Sequence, residues 1–131
     1  MRILELPEIR NLLVYRDIIS LMRDAVISWT RGECDMPMPM HLAIVPRNAE
    51  VHMKSCYRRG GRHFVLKIAA TFPGNLARGL PTGNGMMLLS SAETGEPCFE
   101  QWQIVLEDRT RSCVTFLAVL GLDSDPRDHV G

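Results

Sequence analysis

The sequence lacks an excess of charge of either sign. It contains 15 lysines and arginines and 15 aspartates and glutamates in 131 residues, so its formal net charge is zero at pH 7. Domains that bind nucleic acids usually carry a basic bias. The charge balance therefore argues against a nucleic-acid partner, and the absence of mutual repulsion favours self-association.

Long apolar runs are also missing. The longest, Phe116-Leu-Ala-Val-Leu-Gly-Leu122, is far shorter than the ~20 residues that a membrane-spanning helix needs. The amino terminus shows neither the apolar segment nor the small-residue cleavage site of a secretory signal. The four cysteines form no C-x-x-C pair. We therefore expect no membrane association, a cytoplasmic location and free thiols.

The composition that is present indicates one folded domain. Hydrophobic residues make up 46% and charged residues 23% of the chain, values typical of a soluble globular protein. A chain of this length has room for a single core. We assign residues 1–122 to this domain and residues 123–131 to a polar tail.

The hydrophobic pattern predicts helices first and strands afterwards. Pro7 marks the start of a short first helix. Apolar residues spaced three and four apart from Ile18 to Trp29 predict a second helix that ends at Gly32 and lies on a sheet or a partner. Strands are predicted over residues 2–4, 41–45, 50–57, 63–71, 85–90 and 99–106, and a last helix over residues 108–120. Helices followed by a run of strands indicate an α+β fold.

Lys67 is the principal candidate for a functional residue. It stands in the otherwise apolar string Phe64-Val-Leu-Lys-Ile-Ala-Ala70, and strands of this kind are usually buried on both faces. A buried ammonium needs an anion or hydrogen-bond acceptors. Three interpretations stay open: Lys67 binds a substrate carboxylate, pairs with an acid of the chain, or reaches solvent from an edge strand.

Other motifs are weaker. Residues 72–85 are rich in glycine and proline, which is compatible with a ligand-binding loop or with an ordinary surface loop. Gly83-x-Gly85 is not a dinucleotide fingerprint, because it lacks the third glycine and precedes a strand. His41, His52 and His63 are too far apart in sequence to form a ligand motif, so we predict no metal site.

Three strings of the sequence resemble the ornithine cyclodeaminase/mu-crystallin family. They are Val51-His-Met-Lys-Ser-Cys-Tyr57, Phe64-Val-Leu-Lys-Ile-Ala-Ala-Thr-Phe-Pro-Gly-Asn75 and Gly79-Leu-Pro-Thr-Gly-Asn-Gly-Met-Met-Leu-Leu89. The similarity covers roughly residues 1–97. The resemblance implies an N-terminal substrate-binding and dimerisation domain, which the longer family members continue with a Rossmann domain that binds NAD(P).

The resemblance also implies an assembly. In the family, sheets from two subunits close into a barrel-like core. We therefore expect two N-terminal helices packed on a mixed or antiparallel sheet, and a homodimer in which this sheet forms a barrel with that of the second subunit.

Site residues follow from the resemblance position by position. Lys67 matches the family lysine that contacts the substrate carboxylate and assists the chemistry, and Lys54 is a further candidate for substrate binding. Arg109 is the best counterpart of a family arginine, although a shift of one residue selects Arg111. On the residues alone, Arg109 belongs equally well to a solvated charged run. The arginine that many relatives carry in the extended segment is absent at Pro39-Met40.

The nucleotide-binding domain is not expected in this chain. Val119-Leu-Gly-Leu-Asp123 is not a G-x-G-x-x-G motif, and the residues after Asp123 are fewer than the ~30 of a βαβ unit. We therefore expect no cofactor bound by this chain, NAD(P) in full-length relatives, and a separate Rossmann-domain chain as a candidate partner.

Three functional hypotheses follow. In the first, the chain is the substrate-binding half of an ornithine cyclodeaminase-like, NAD(P)-dependent amino-acid deaminase or imino-acid reductase, truncated and not catalytic alone. The alternative is a non-catalytic dimeric protein that binds a small carboxylate, as mu-crystallin binds thyroid hormone. The third is a degraded gene product without activity, since the family resemblance is poor after Pro97.

Overall fold

A computed structural model describes residues 2–4, 11 and 15–102 of the chain. In chain order its elements are β1 (Arg2–Leu4), α1 (Tyr15–Thr30), β2 (Cys34–Asp35), β3 (Met40–Ile44), β4 (Ala49–Arg58), β5 (His63–Thr71), β6 (Gly83–Ser91) and β7 (Pro97–Trp102), with 3-10 helices at Val45–Arg47 and Pro73–Arg78. The predicted strands fall within a few residues of these bounds. The first helix after Pro7, the last helix, the tail and residues 103–106 of the last predicted strand lie outside the described residues.

Helix α1 confirms the second predicted helix. Gly32, at φ 70°, ends it: its N–H donates to the carbonyl of Trp29 at 2.9 Å, and Glu33 N–H donates to the carbonyl of Ser28 at 3.0 Å. Ala25 and Ser28 are buried, whereas Trp29 is 51% exposed, so the apolar stripe is covered only in part. No helix among the described residues combines the length and apolar composition needed to cross a membrane.

The strands form one mixed, mostly antiparallel sheet. Its order is β1-β7-β6-β5-β4-β2, and β3 also pairs with β4. β1 runs parallel to β7, and the other pairs are antiparallel. The α+β prediction is therefore confirmed for the described residues. In this single subunit the sheet stays open, so the barrel shared with a second subunit remains a prediction.

The two faces of the sheet differ in burial. On β5, Val65 is fully buried, whereas Leu66 and Ile68 are 40% and 38% exposed. Neighbouring residues of a strand point to opposite faces. The interpretation of this strand as buried on both faces is therefore wrong for the isolated subunit. The core lies on the Val65 face, and the face of Leu66 and Ile68 has an apolar surface that the described residues leave partly open.

Gly85 occupies the tightest point between β5 and β6. It is the cross-strand partner of Ala69, and a Cβ atom built on it would lie 2.7 Å from the carbonyl oxygen of Ile68. A backbone atom at this distance cannot rotate away as a side chain would. The glycine is therefore required by the close approach of the two strands.

Replacing Gly85 with alanine should lower the free energy of unfolding by about 1–3 kcal/mol, the usual cost of overpacking. Gly74 is the matched control, because it has an ordinary φ and nothing within 4 Å of a built Cβ. Gly74→Ala should leave stability unchanged or slightly raised. Urea unfolding followed by circular dichroism measures both variants, and equal midpoints would contradict the assigned close approach.

Candidate functional site

Both lysines of the chain meet at one place in the sheet. Lys54 on β4 and Lys67 on β5 are direct cross-strand partners, so their side chains leave the same face. Lys67 is only 7% exposed, and Lys54 is exposed. Like charges directly opposite one another on a sheet destabilise it by roughly 0.2–1 kcal/mol. An anion bound between the two ammonium groups would offset this repulsion.

The surroundings of Lys67 remove one of its three interpretations. β5 lies between β4 and β6, and Met87 on β6 is the cross-strand partner on the other side. Lys67 is therefore on a central strand, and the edge-strand interpretation is wrong. Lys67 also interacts with another group of the chain. A substrate carboxylate would therefore bind Lys67 in addition to the group with which Lys67 already interacts.

Three potential metal ligands converge on the hairpin of β3 and β4. His41 and His52 are cross-strand partners, and their rings stack with centroids 4.8 Å apart. Glu50 lies two residues before His52, so its side chain leaves the same face. Its Oε2 is 3.2 Å from His41 Nε2, and its Oε1 is 3.5 Å from His52 Nε2. Hydrogen bonds from His52 and then His41 lower the pKa of Glu50.

Antiparallel pairing places His41 and His52 side by side although they are far apart in the sequence. The absence of a metal site stays a prediction. His63 is not part of the group, because it lies on β5 opposite Ser91. The sequence does contain a signal for this group. Glu50 and His52 alternate at the start of one predicted strand, and His41 begins the predicted strand before it.

An open cavity of about 420 Å³ adjoins two of the three potential ligands. Its lining includes His41 and Glu50 from the hairpin and Pro73 from the segment after β5. That segment is closed at its base, where Phe72 N–H donates to the carbonyl of Thr82 at 2.7 Å. The glycine-rich segment is thus closed by a backbone hydrogen bond, and Pro73 contributes to the cavity wall.

The cysteines of the described region are free thiols. Cys56 pairs with Val65 on the same face as Lys67 and is 4% exposed. Burial, followed by the neighbouring thiol of Cys34, raises the pKa of Cys56 to about 11. A thiol of this kind is protonated at neutral pH and reacts poorly as a nucleophile. Cys56 therefore contributes to packing and not to chemistry.

The third predicted substrate-binding residue lies outside the described part of the chain. Arg109 and its alternative Arg111 are outside the described residues, so their relation to Lys67 stays a prediction. Arg59, by contrast, is paired with Asp35 at 2.9 Å and lowers the pKa of that carboxyl. Both side chains are exposed, and surface pairs of this kind contribute little to stability. We assign them no part in the site.

Similar proteins show where the chain stands among known ones. No protein-family model matches it. It is 31% identical over 117 residues to Delta(1)-pyrroline-2-carboxylate reductase 1 of Burkholderia multivorans. This alignment covers 89% of this chain and 37% of that protein. It is 40% identical over 60 residues to an uncharacterized cyclodeaminase of Sinorhizobium fredii, 46% of this chain and 18% of that protein. The chain thus spans about a third or less of the curated relatives it matches.

A solved structure supports the same fold. The Delta(1)-pyrroline-2-carboxylate reductase of Thermococcus litoralis, in complex with NADH and L-proline, superposes with a TM-score of 0.74 at 20% identity. The match covers 78% of this chain and 32% of that one. The chain therefore matches about a third of the length of that structure.

The raised pKa of Cys56 predicts its reactivity. At pH 8 a pKa of about 11 leaves roughly one thiolate in a thousand, and the thiolate is the reactive form. We expect iodoacetamide to label Cys56 much more slowly than Cys34 or Cys98, which are partly exposed. Peptide mass spectrometry after timed labelling measures the three rates, and urea-unfolded protein is the control in which the three rates should become similar. Equal rates in the folded protein would contradict the burial of Cys56.

Proposed function

The chain belongs to the ornithine cyclodeaminase/mu-crystallin family and corresponds to part of its members' length; from this premise we propose that it supplies the substrate-binding function of an NAD(P)-dependent imino-acid reductase or cyclodeaminase. The substrate in this proposal is a small amino or imino acid. One relative carries pyrroline-2-carboxylate in its name, and the solved reductase holds L-proline. Both compounds contain a carboxylate next to the reacting carbon.

The observation that carries the proposal is the pairing of Lys67 with Lys54 on two central strands. Lys67 is nearly excluded from water, and an ion pair gains strength as the effective dielectric constant falls. The exposed Lys54 lies opposite it, so a carboxylate can approach from solvent and contact both ammonium groups. In this arrangement Lys67 fixes the substrate carboxylate and Lys54 assists its entry. Arg109 is a further proposed ligand of the carboxylate.

In this proposal, none of the described residues binds the nicotinamide cofactor. Gly83 and Gly85 are the positions most like a nucleotide motif, but they belong to β6 and pair with β5. The space above Gly85 is filled by the backbone of Ile68, so a phosphate cannot use it. When bound, the cofactor would supply or accept the hydride. The part proposed for Lys67 and Lys54 is to hold the substrate by its carboxylate.

We also propose that a second copy of the chain covers the open apolar face. Met40, Leu42, Leu66 and Ile68 are between 38% and 63% exposed, and the strand register connects them across β3, β4 and β5. Exposed contiguous apolar surface of this kind usually marks an interaction site. The zero net charge of the chain adds no long-range repulsion to self-association. A barrel-like core made by two sheets and a cytoplasmic location belong to the same proposal.

Replacing Lys67 with methionine tests the carboxylate site. We expect the dissociation constant for L-proline or Delta(1)-pyrroline-2-carboxylate, measured by isothermal titration calorimetry, to rise at least tenfold, which corresponds to about 1.4 kcal/mol. The reason is the loss of a charge-assisted contact in a site with little water. Lys54→Met should weaken binding less, because Lys54 is exposed.

The matched control is Arg78→Gln, which removes an exposed positive charge outside the sheet and should leave binding unchanged. A melting curve of each variant shows that it is folded. Equal affinity of the parent and Lys67→Met would refute the role of Lys67. Oxidation of NADH by the purified chain alone would show that the cofactor is held within these 131 residues, whereas binding without turnover is the expected result.

A charge placed on the open apolar face tests the dimer. We expect the parent chain to sediment as a dimer and Ile68→Glu to sediment as a monomer, because a carboxylate would be buried without a partner at the interface. Leu76→Glu is the control, since Leu76 is 78% exposed on a 3-10 helix outside the sheet. Analytical ultracentrifugation measures all three proteins. A monomeric parent, or a dimeric Ile68→Glu variant, would contradict the proposed interface.

A further inference from the structure

The group formed by His41, Glu50 and His52 has no part in the proposed carboxylate site. It lies on the β3–β4 hairpin, and its ligand atoms all fall within 4.8 Å of one another. The side chains are 52%, 49% and 39% exposed, so each ligand atom can be reached from solvent. The group is fixed by backbone register, because His41 pairs directly with His52 and Glu50 is the previous residue on the same face of β4.

The distances match those that a metal ion requires. Nitrogen and oxygen ligands bind Zn²⁺ at about 2.0–2.2 Å in a tetrahedron, which places neighbouring ligand atoms roughly 3.4 Å apart. His41 Nε2 is 3.2 Å from Glu50 Oε2, and His52 Nε2 is 3.5 Å from Glu50 Oε1, so each imidazole faces a different oxygen of the carboxylate.

The chemistry of the three groups is also that of a metal site. Two neutral imidazoles and one carboxylate form a donor set known from zinc hydrolases and from non-haem iron enzymes, in which the remaining positions hold water or substrate. Glu50 already points one oxygen toward each histidine. The three ligands therefore need little reorganisation to receive a cation.

We propose that His41, Glu50 and His52 bind one divalent transition-metal ion of the Zn²⁺ class, with a further coordination position open toward the adjoining cavity. His41 and Glu50 line this cavity of about 420 Å³, which leaves room for water or for an oxygen of a small ligand. The bound ion connects β3 to β4, and β4 is the only strand with which β3 pairs among the described residues. The ion would therefore hold this outer strand in register.

Titration of the full chain with Zn²⁺ and with Co²⁺ tests the site. We expect one ion to bind per chain in isothermal titration calorimetry, with a visible d–d spectrum for Co²⁺ that indicates nitrogen and oxygen ligands. Glu50→Gln, His41→Ala and His52→Ala should each weaken binding at least tenfold. Mg²⁺, which prefers an octahedral shell of oxygen ligands, should not compete.

Two matched variants separate this site from other donors. Glu93→Gln removes an exposed carboxylate outside the cluster and should leave Zn²⁺ affinity unchanged. Cys34→Ser removes a thiol that lies near Cys56 and should also leave it unchanged. Absence of Zn²⁺ binding, equal affinity in Glu50→Gln, or loss of binding in Cys34→Ser would each overturn the proposal. L-Proline binding by Glu50→Gln should be retained, so a failure of the metal site is distinguishable from a failure of the proposed function.

Discussion

The antiparallel pairing of β4 with its two neighbouring strands controls the chemistry of this sheet. The register of β4 on β5 sets Lys54 opposite Lys67, and the register of β4 on β3 brings His52 beside His41. A shift of β4 by one residue would move Glu50, His52 and Lys54 to the opposite face, away from His41 and Lys67. The register is held by the burial of Cys56, Val65, Met87 and Leu89 on the lysine face and by the close fit of Gly85 against β5. The apolar core and the polar groups therefore depend on the same pairing.

The different composition of the two faces of the sheet follows from this register. The lysine face carries the core together with the charged residues Glu50, Lys54 and Lys67, whereas the opposite face presents Leu66 and Ile68 to solvent. A single subunit leaves this second face only half covered. A partly exposed apolar face has a thermodynamic reason to acquire a second layer, because each 100 Å² of apolar surface removed from water contributes about 2.5 kcal/mol.

Local features of the fold could be predicted from the sequence. The bounds of β5 agree with the prediction over residues 63–71, because the strand is apolar and ends at clear turn signals on both sides. The end of α1 agrees because Gly32 is the usual helix terminator. Lys67 was found because an ammonium in an apolar strand is an anomaly within one segment. The prediction that β5 is buried on both faces failed because burial depends on what packs against a face, which the strand itself does not encode.

Features that join distant segments could not be predicted in the same way. The meeting of His41, Glu50 and His52 requires the pairing of two strands across the turn at Val45–Arg47, and the pairing of Lys54 with Lys67 requires the register of a second hairpin. The sequence indicates Lys67 and Lys54 as separate candidates, without showing that they face each other. Only the register brings these five separate polar residues together as two neighbouring groups, one suited to a cation and one suited to an anion.

These two groups are close enough to influence each other. Lys54 follows His52 by two residues on one strand, a separation of about 7 Å at 3.4 Å per residue. At that distance a divalent cation and an ammonium repel each other by about 1 kcal/mol in water. This is small beside the roughly 10 kcal/mol or more that structural zinc sites provide, so the cation and the lysines can coexist on one face. A carboxylate bound at the lysines would cancel part of the repulsion, so the physical expectation is that occupation of either group favours occupation of the other.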